Sequence, residues 1–278
     1  MGGFLNTLGQ KLAERWLTLL VLPGALYLAT AVAAHTLGYS HALDNRLLIH
    51  QISAWAKTPT VTSASGQIIL LAAVLAGAAG AGLVAQTLGR AAEYLVLAAD
   101  WRSWLWPLRR FAQWRVDKRG LRWDIAHTKY QALRDQAALT LASQGIHVDH
   151  SERDTAYRAL VRIAEIRPDR PTWSGDRLNT VSLRLQEELT LDLARIWPSL
   201  WLTLPDAARI EVTNARADLT RATSLTGWAL LYAPLTLSWW PSGLITATLA
   251  CAAWYRTRTA ADTYAQLIDA AARQYAHD

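Results

Sequence analysis

Four apolar stretches constrain this chain more than any other feature of its sequence. Two lie near the N-terminus, at residues 16–37 and 67–88, and two shorter ones lie near the C-terminus, at residues 225–239 and 244–255. A helix of about 20 apolar residues crosses the hydrocarbon core of a bilayer, which is about 30 Å thick. None of the four stretches contains Asp, Glu, Lys or Arg. The pattern predicts an all-α integral membrane protein in which two transmembrane helical hairpins flank a helical cytoplasmic domain.

The predicted boundaries follow from these stretches and from the polar segments between them. In chain order we expect an interfacial amphipathic helix at 1–15, a first span at 16–37, an outer loop with a short amphipathic helix at 38–65, a second span at 66–89, a cytoplasmic helical domain at 90–222, a third span at 223–239, a fourth span at 241–257 and a cytoplasmic C-terminal helix at 258–278.

Three of these spans have alternatives. The C-terminal pair is short and is separated by Trp239-Trp240-Pro241-Ser242-Gly243, where proline and glycine favour a tight turn. A re-entrant hairpin, or a buried hairpin of a soluble domain, is the alternative to two full spans. The first stretch, with Ala31-Val32-Ala33 near its end, also resembles a cleavable signal peptide. It is longer than a usual signal-peptide core, so we expect it to remain as a span.

The distribution of basic residues predicts the orientation. Residues 90–122 carry eight Lys and Arg residues, whereas the loop at 38–65 carries only Arg46 and Lys57. Cytoplasmic flanks of membrane proteins hold the excess of Lys and Arg. We therefore expect a plasma (inner) membrane protein with both termini and the middle domain in the cytoplasm.

Tryptophan and arginine alternate directly after the second predicted span. Such a segment can place Trp at the headgroups and Arg on anionic lipid, or it can stack on single-stranded nucleic acid. Because the segment adjoins a span, we favour the anionic inner leaflet and expect no nucleic-acid partner. The predicted lipid-interface residues are Arg102, Arg109, Arg110, Trp101, Trp104 and Trp114.

Small residues recur four apart in the second span. Gly77, Ala81 and Gly82 are predicted to let another helix approach closely. The segment also reads G-x-x-G-x-G. A dinucleotide fingerprint would need a strand before it and a helix beginning within it, and this one lies inside an apolar helix.

Residues that could carry chemistry are few. His147-Val148-Asp149-His150 offers possible metal ligands, but no second cluster accompanies it, and we interpret it as a polar loop. No phosphate-binding loop, nucleophile elbow or cysteine-based metal site occurs in the sequence. We expect no catalytic residues, no metal and no cofactor.

The densest motifs are Pro-Thr-Trp-Ser-Gly-Asp-Arg-Leu-Asn at 171–179, Leu-Asp-Leu-Ala-Arg-Ile-Trp-Pro-Ser-Leu-Trp at 191–201 and Leu-Pro-Asp at 204–206. With the early Leu-Pro-Gly at 22–24, they resemble a family of bacterial, mainly actinobacterial, multi-pass integral membrane proteins with no assigned activity. The resemblance implies a hairpin–cytoplasmic domain–hairpin topology and brings no catalytic residues.

Local chemistry adds further expectations for these motifs. Asp176 and Asp192 are predicted to cap helices, and Arg177 can pair with Asp192 or Glu188. Trp197 and Trp201 would share a helical face. That face is predicted to form the domain core or a membrane contact; alternatively, Arg177, Trp197 and Trp201 form a surface for a protein partner.

The favoured function is a membrane anchor or signalling scaffold that binds an unidentified protein through its cytoplasmic domain. The alternative is an oligomeric ion channel or pore, which the small residues and scattered threonines of the uncharged spans suggest. This alternative requires a homo-oligomer. A membrane-associated enzyme acting on lipids has the least support.

Overall fold

A computed structural model describes residues 21–58, 63–144, 151–189 and 192–275. Every regular element in these ranges is helical, which confirms the predicted all-α class. The predicted interfacial helix at 1–15 and the segment His147–His150 lie outside the described residues. The α-helices are α1 (Leu22–Leu37), α2 (Asn45–Ala56), α3 (Ala64–Leu97), α4 (Trp106–Gln144), α5 (Ser151–Ile163), α6 (Trp173–Leu189), α7 (Leu193–Thr203), α8 (Asp206–Tyr232) and α9 (Pro241–Tyr275), with 3-10 turns at Trp101–Ser103 and Ala233–Leu237.

The chain divides into two compact units. Unit 1 comprises Met1–Ala92 and Thr220–Tyr255, and unit 2 comprises Glu93–Leu219 and Arg256–Asp278. Helices α3, α8 and α9 each contribute residues to both units.

Helix α3 is the one element within the described ranges that is long and apolar enough to cross a membrane. Helix α1 is apolar but shorter, and the other two predicted spans do not pass the same test. The uncharged part of α9 covers only residues 241–255, about 22 Å of helix, before Arg256. The uncharged part of α8 is shorter still, because Arg221 precedes it and the α-helix ends at Tyr232. Length and apolarity therefore identify one candidate span rather than four.

Unit 1 is built by close approach of helix backbones. A Cβ atom on Gly24 of α1 would collide with the Ala78 carbonyl of α3, and one on Gly227 of α8 would collide with the Ala85 carbonyl. A Cβ on Gly89 would lie 2.8 Å from Ser224 Cα. Small side chains thus permit the contacts of α3 with α1 and with α8.

The buried stripe of α3 differs in register from the predicted one. Ala78, Gly82 and Ala85 are buried, whereas Gly77 is exposed and Ala81 is partly exposed. Gly77 still lies beside α1, since a Cβ there would sit 3.1 Å from a methyl group of Leu28.

Two local features of unit 1 lie at the starts of helices. The Asp44 carboxylate caps α2 by accepting the N–H groups of Arg46 and Leu47 at 3.0 and 3.1 Å. The turn predicted at residues 239–243 lies earlier than expected: the chain turns at residues 238–240, and Pro241, Ser242 and Gly243 already belong to α9. The Trp239 indole in this turn donates to the Ala42 carbonyl at 2.9 Å.

Unit 2 has its main apolar cluster where α6, α7 and α9 meet. Val181 and Leu185 of α6 pack with Leu200 of α7 and with Ala265 and Ile268 of α9. Asp192 caps α7 through the N–H of Ala194, at 3.1 Å, as its sequence predicts.

Candidate functional site

The segment between α5 and α6 is held by side chains rather than by regular secondary structure. Asp176, in the first turn of α6, accepts the backbone N–H groups of Asp169 and Arg170 at 3.1 and 2.8 Å. Arg119 of α4 donates to the carbonyls of Arg170 at 2.6 Å and Ile163 at 3.1 Å. The predicted cap at Asp176 is therefore wrong: Asp176 lies inside α6, and Thr172 caps this helix by accepting the N–H of Gly175 at 3.1 Å. Asp176 instead binds the preceding loop, which Arg119 joins to α4.

Arg119 and Asp176 also form an ion pair with each other. Their side chains are only 13% and 6% exposed, so both charges are largely removed from water. Burial raises the pKa of Asp176, although the Arg119 guanidinium and the two backbone N–H groups act in the opposite direction. Such a pair is costly to break, because the remaining partner stays buried and unpaired.

Further side chains satisfy the other carbonyls of this segment. The Trp101 indole donates to the Asp169 carbonyl and the Trp123 indole to the Ala164 carbonyl, each at 3.0 Å. Arg170 donates to the Ala98 carbonyl at 2.9 Å, where the chain leaves α3 with a positive φ of 45°. The loop is therefore connected to α3, α4 and α6 at once.

Arg177 lies at the centre of a second charged group. Its guanidinium pairs with Glu165 and, at 2.5 Å, with Asp262 of α9, and Arg184 also pairs with Glu165. The predicted pairing of Arg177 with Asp192 or Glu188 is wrong. Asp192 caps α7, and Glu188 pairs with Arg273 at 2.7 Å.

A cavity of about 190 Å³ lies beside these groups. Its charged lining consists of Glu165, Asp176, Arg177 and Asp262, and each carboxylate in it is already paired with an arginine. General acid–base chemistry needs a carboxyl group that can reach a bound substrate, and here these groups bind one another. No cluster of three His, Cys, Asp or Glu residues suited to a metal ion occurs in the part of the chain that the structure describes.

The six predicted lipid-interface residues divide into two sets. The prediction that Trp101 lies at a lipid surface is wrong, because this residue is only 5% exposed. Its indole N–H donates to the Asp169 carbonyl inside unit 2. Trp104 is partly buried against Tyr94, with ring centroids 5.9 Å apart, and Arg102 pairs with Asp169 at 2.7 Å. The Arg102 side chain is nevertheless 73% exposed. On α4 the exposed set is Arg109, Arg110 and Trp114.

The exposed set belongs to one side of α4, together with residues that the prediction omitted. Trp106, Phe111 and Trp114 are 64%, 57% and 53% exposed. The Arg110 guanidinium lies 5.3 Å from the Trp106 ring centroid, and the Lys118 ammonium lies 4.9 Å from that of Trp114. Helical spacing could have identified this side, because residues 106, 110, 114 and 118 are each four apart.

The three predicted partner-surface residues do not form one surface. Arg177 is only 16% exposed and belongs to the ion-pair network. Trp197 and Trp201 contact each other, with ring centroids 5.9 Å apart, and Trp197 packs against the apolar cluster of unit 2. Trp201 is partly exposed beside Leu202, which is 77% exposed.

Comparison with known proteins does not relate this chain to a family. The chain matches no protein-family model, no curated protein and no solved structure.

Proposed function

We propose that this chain is a multi-span protein of the plasma (inner) membrane, with spans at 16–37, 66–89, 223–239 and 241–257. In this proposal unit 2 lies in the cytoplasm and serves as a non-enzymatic anchor or signalling scaffold for a protein partner.

The observation that carries the membrane part is the exposure of α3. Its most apolar 18-residue window has a mean hydropathy of 2.4, yet only 17% of that window is buried in the protein. Ile68, Ile69 and Leu71 are each at least 60% exposed. An apolar helix in the core of a soluble protein is buried by its neighbours, and a large exposed apolar surface marks a membrane or protein contact.

The non-enzymatic part is supported by the use that unit 2 makes of its charges. Asp176, Glu165 and Asp262 are engaged by Arg119 and Arg177 in contacts that connect helices and loops. Carboxylates that are paired in this way stabilise the fold of unit 2. A stable helical unit on a membrane anchor is suited to binding a partner.

A scaffold is favoured over a pore for two reasons. The hydroxyls of Thr30 and Thr248 donate to carbonyls of their own helices at 2.8 Å, as threonines commonly do in apolar helices. Ala78, Ala85 and Gly89 of α3, small residues of the kind that could join identical copies, instead contact α1 and α8 of the same chain.

Cysteine accessibility tests the membrane part. The sole cysteine, Cys251, is replaced by serine, and Leu71→Cys in α3 is compared with Leu139→Cys in α4, which is 70% exposed. In inside-out membrane vesicles, a water-soluble maleimide should react with the Leu139→Cys protein and not with the Leu71→Cys protein. Both should react in denaturing detergent. Equal reaction rates in intact vesicles would overturn the membrane assignment.

Crosslinking in cells that produce the chain tests the scaffold part. A photo-reactive residue in place of Leu202, beside Trp201, should capture one protein reproducibly, and the same residue at Leu139 should not. Capture of lipid alone, or of the same proteins at both positions, would remove the support for a partner on α7.

A further inference from the structure

The first half of α4 presents one side to solvent that is both aromatic and basic. We define the α4 face as Trp106, Arg110, Phe111, Trp114 and Lys118, all of which are exposed. At about 100° per residue, positions 106, 110, 114 and 118 form a single stripe along the helix, with Phe111 beside it.

The orientation of this face is fixed by the opposite side of α4. Ala112 and Val116 are buried in a cluster with Ala98 and Trp101, and Arg119 enters the ion-pair network with Asp176. Helix α4 cannot rotate about its axis without breaking these buried contacts, so the α4 face is held toward solvent.

The net charge of this side is positive. Arg109, Arg110, Lys118 and Arg122 form no ion pair with any residue that the structure describes. Of the acidic residues in the same stretch, Asp124 is paired with Arg167, whereas the exposed Asp117 keeps its charge and offsets part of this positive charge. Asp117 accepts from the Gln113 amide at 2.8 Å, and Asp124 accepts both guanidinium contacts of Arg167 at 3.0 Å.

We propose that the α4 face binds the headgroups of anionic phospholipids. Lysine and arginine near a membrane surface are attracted by its negative potential, and indole rings favour the headgroup level. This inference rests on one part of the proposed function, namely that the chain resides in a bilayer. It adds a lipid partner for unit 2 to the proposed protein partner.

The aromatic contacts favour a lipid over a nucleic acid. Single-stranded nucleic acid binds by stacking bases on open aromatic faces. Here Arg110 lies over the Trp106 ring, while Lys118 lies over the Trp114 ring and Phe111 packs 5.7 Å from the same ring. Trp106 and Trp114 remain 64% and 53% exposed, and their rings can lie among headgroups while the cations contact phosphate.

A fluorophore on the same side of α4 tests the proposal in the full-length chain. Leu121→Cys, 62% exposed, is made in the Cys251→Ser background and labelled with an environment-sensitive dye. Leu139→Cys is the matched control: it is 70% exposed and lies on the same side of α4, about 27 Å further along the helix. The protein is placed in nanodiscs of phosphatidylcholine, or of phosphatidylcholine and phosphatidylglycerol in equal amounts.

The expected result is a blue shift of the Leu121→Cys dye in the phosphatidylglycerol discs and no shift of the Leu139→Cys dye. Replacing Arg109, Arg110, Lys118 and Arg122 by glutamine should abolish the shift while leaving the melting temperature in detergent unchanged, because these side chains make no buried contact.

Three results would overturn the proposal. They are the same emission in both kinds of disc, a shift that survives the fourfold glutamine change, and a shift produced in phosphatidylcholine discs by single-stranded RNA but not by phosphatidylglycerol. If the chain fails to enter nanodiscs, the proposed function fails first. The labelled protein in detergent is then mixed with phosphatidylglycerol vesicles, and absence of a shift there rejects the α4 face as well.

Discussion

Arg119 of α4 pairs with Asp176 of α6 inside unit 2, and each also binds the backbone of the loop between α5 and α6. These two residues are 57 positions apart in the sequence. Their contact joins two helices and the intervening loop, and the stability of unit 2 therefore depends on it.

Removing the arginine from this pair should be costly. We expect Arg119→Ala to lower the free energy of unfolding by about 3–5 kcal/mol, because Asp176 would remain buried without its charged partner. Thermal unfolding in detergent, followed by circular dichroism, measures the change. The double variant Arg119→Ala/Asp176→Ala should lose less than the sum of the two single changes, and strict additivity would contradict the coupling.

The pH dependence of stability should carry a contribution from Asp176. Its folded pKa is raised above the ordinary value of 3.8, so the folded unit keeps this proton at pH values where the unfolded chain has lost it. The contribution of Asp176 to stability is thus highest below pH 3.8 and declines as pH rises through the folded pKa. Relative to Asp176→Asn, the wild type should lose stability across that window. A relative gain with rising pH would show that the folded pKa is lowered instead.

The close contact at Gly227 should not tolerate a methyl group. A Cβ there would collide with the Ala85 carbonyl, so we expect Gly227→Ala to destabilise unit 1 by about 1–3 kcal/mol. Gly80→Ala is the control, since nothing lies within 4 Å of a Cβ at that position and alanine favours a helix. Melting temperatures in detergent should fall for the first variant and stay equal or rise for the second.

Changes at two tryptophans of the same aromatic stretch should differ in their effect on the free energy of unfolding. Trp101→Phe removes the donor to the Asp169 carbonyl and should cost about 1–3 kcal/mol of unfolding free energy. Trp106→Phe changes an exposed residue and should have an effect within about 0.5 kcal/mol. Equal losses from both changes would place Trp106 in the core and remove it from the α4 face.

Arg177 should behave as a structural residue. Because it pairs with both Glu165 and Asp262, Arg177→Ala should lower the unfolding free energy by about 3 kcal/mol. Arg153, paired only with its neighbour Asp154 at the surface, is the matched control, and its change to alanine should cost less than about 1 kcal/mol. A melting temperature equal to that of the wild type would contradict the structural role and favour the predicted role of Arg177 in partner binding.

Local signals in the sequence predict local structure well. The cap at Asp192 depends on contacts within a few residues, and it is present where the sequence places it. Asp44 caps α2 through equally local contacts. The apolar character of α3 is likewise a property of one continuous segment.

Contacts between distant segments could not be predicted in the same way. The partner of Arg177, Asp262, is 85 residues away, and no spacing rule selects it over the nearer Glu188. Trp101 and Trp106 occur in one alternating pattern, and the first is buried because of distant contacts, with the apolar residues Ala112 and Val116 and with the Asp169 carbonyl. The register of small residues on α3 similarly depends on where Gly24 and Gly227 meet it.

The loop between α5 and α6 also bears on the order of folding. Its N–H groups at Asp169 and Arg170 are bound by a side chain of α6, and its carbonyl at Arg170 by a side chain of α4. The Asp176 contacts span only six and seven residues, whereas the Arg119 contact spans 51 residues. Closing a chain segment of the longer kind has an entropic cost that must be met before its contact forms. We therefore expect Asp176 to order the loop locally first, and Arg119 to fix it when α4 docks beside α6.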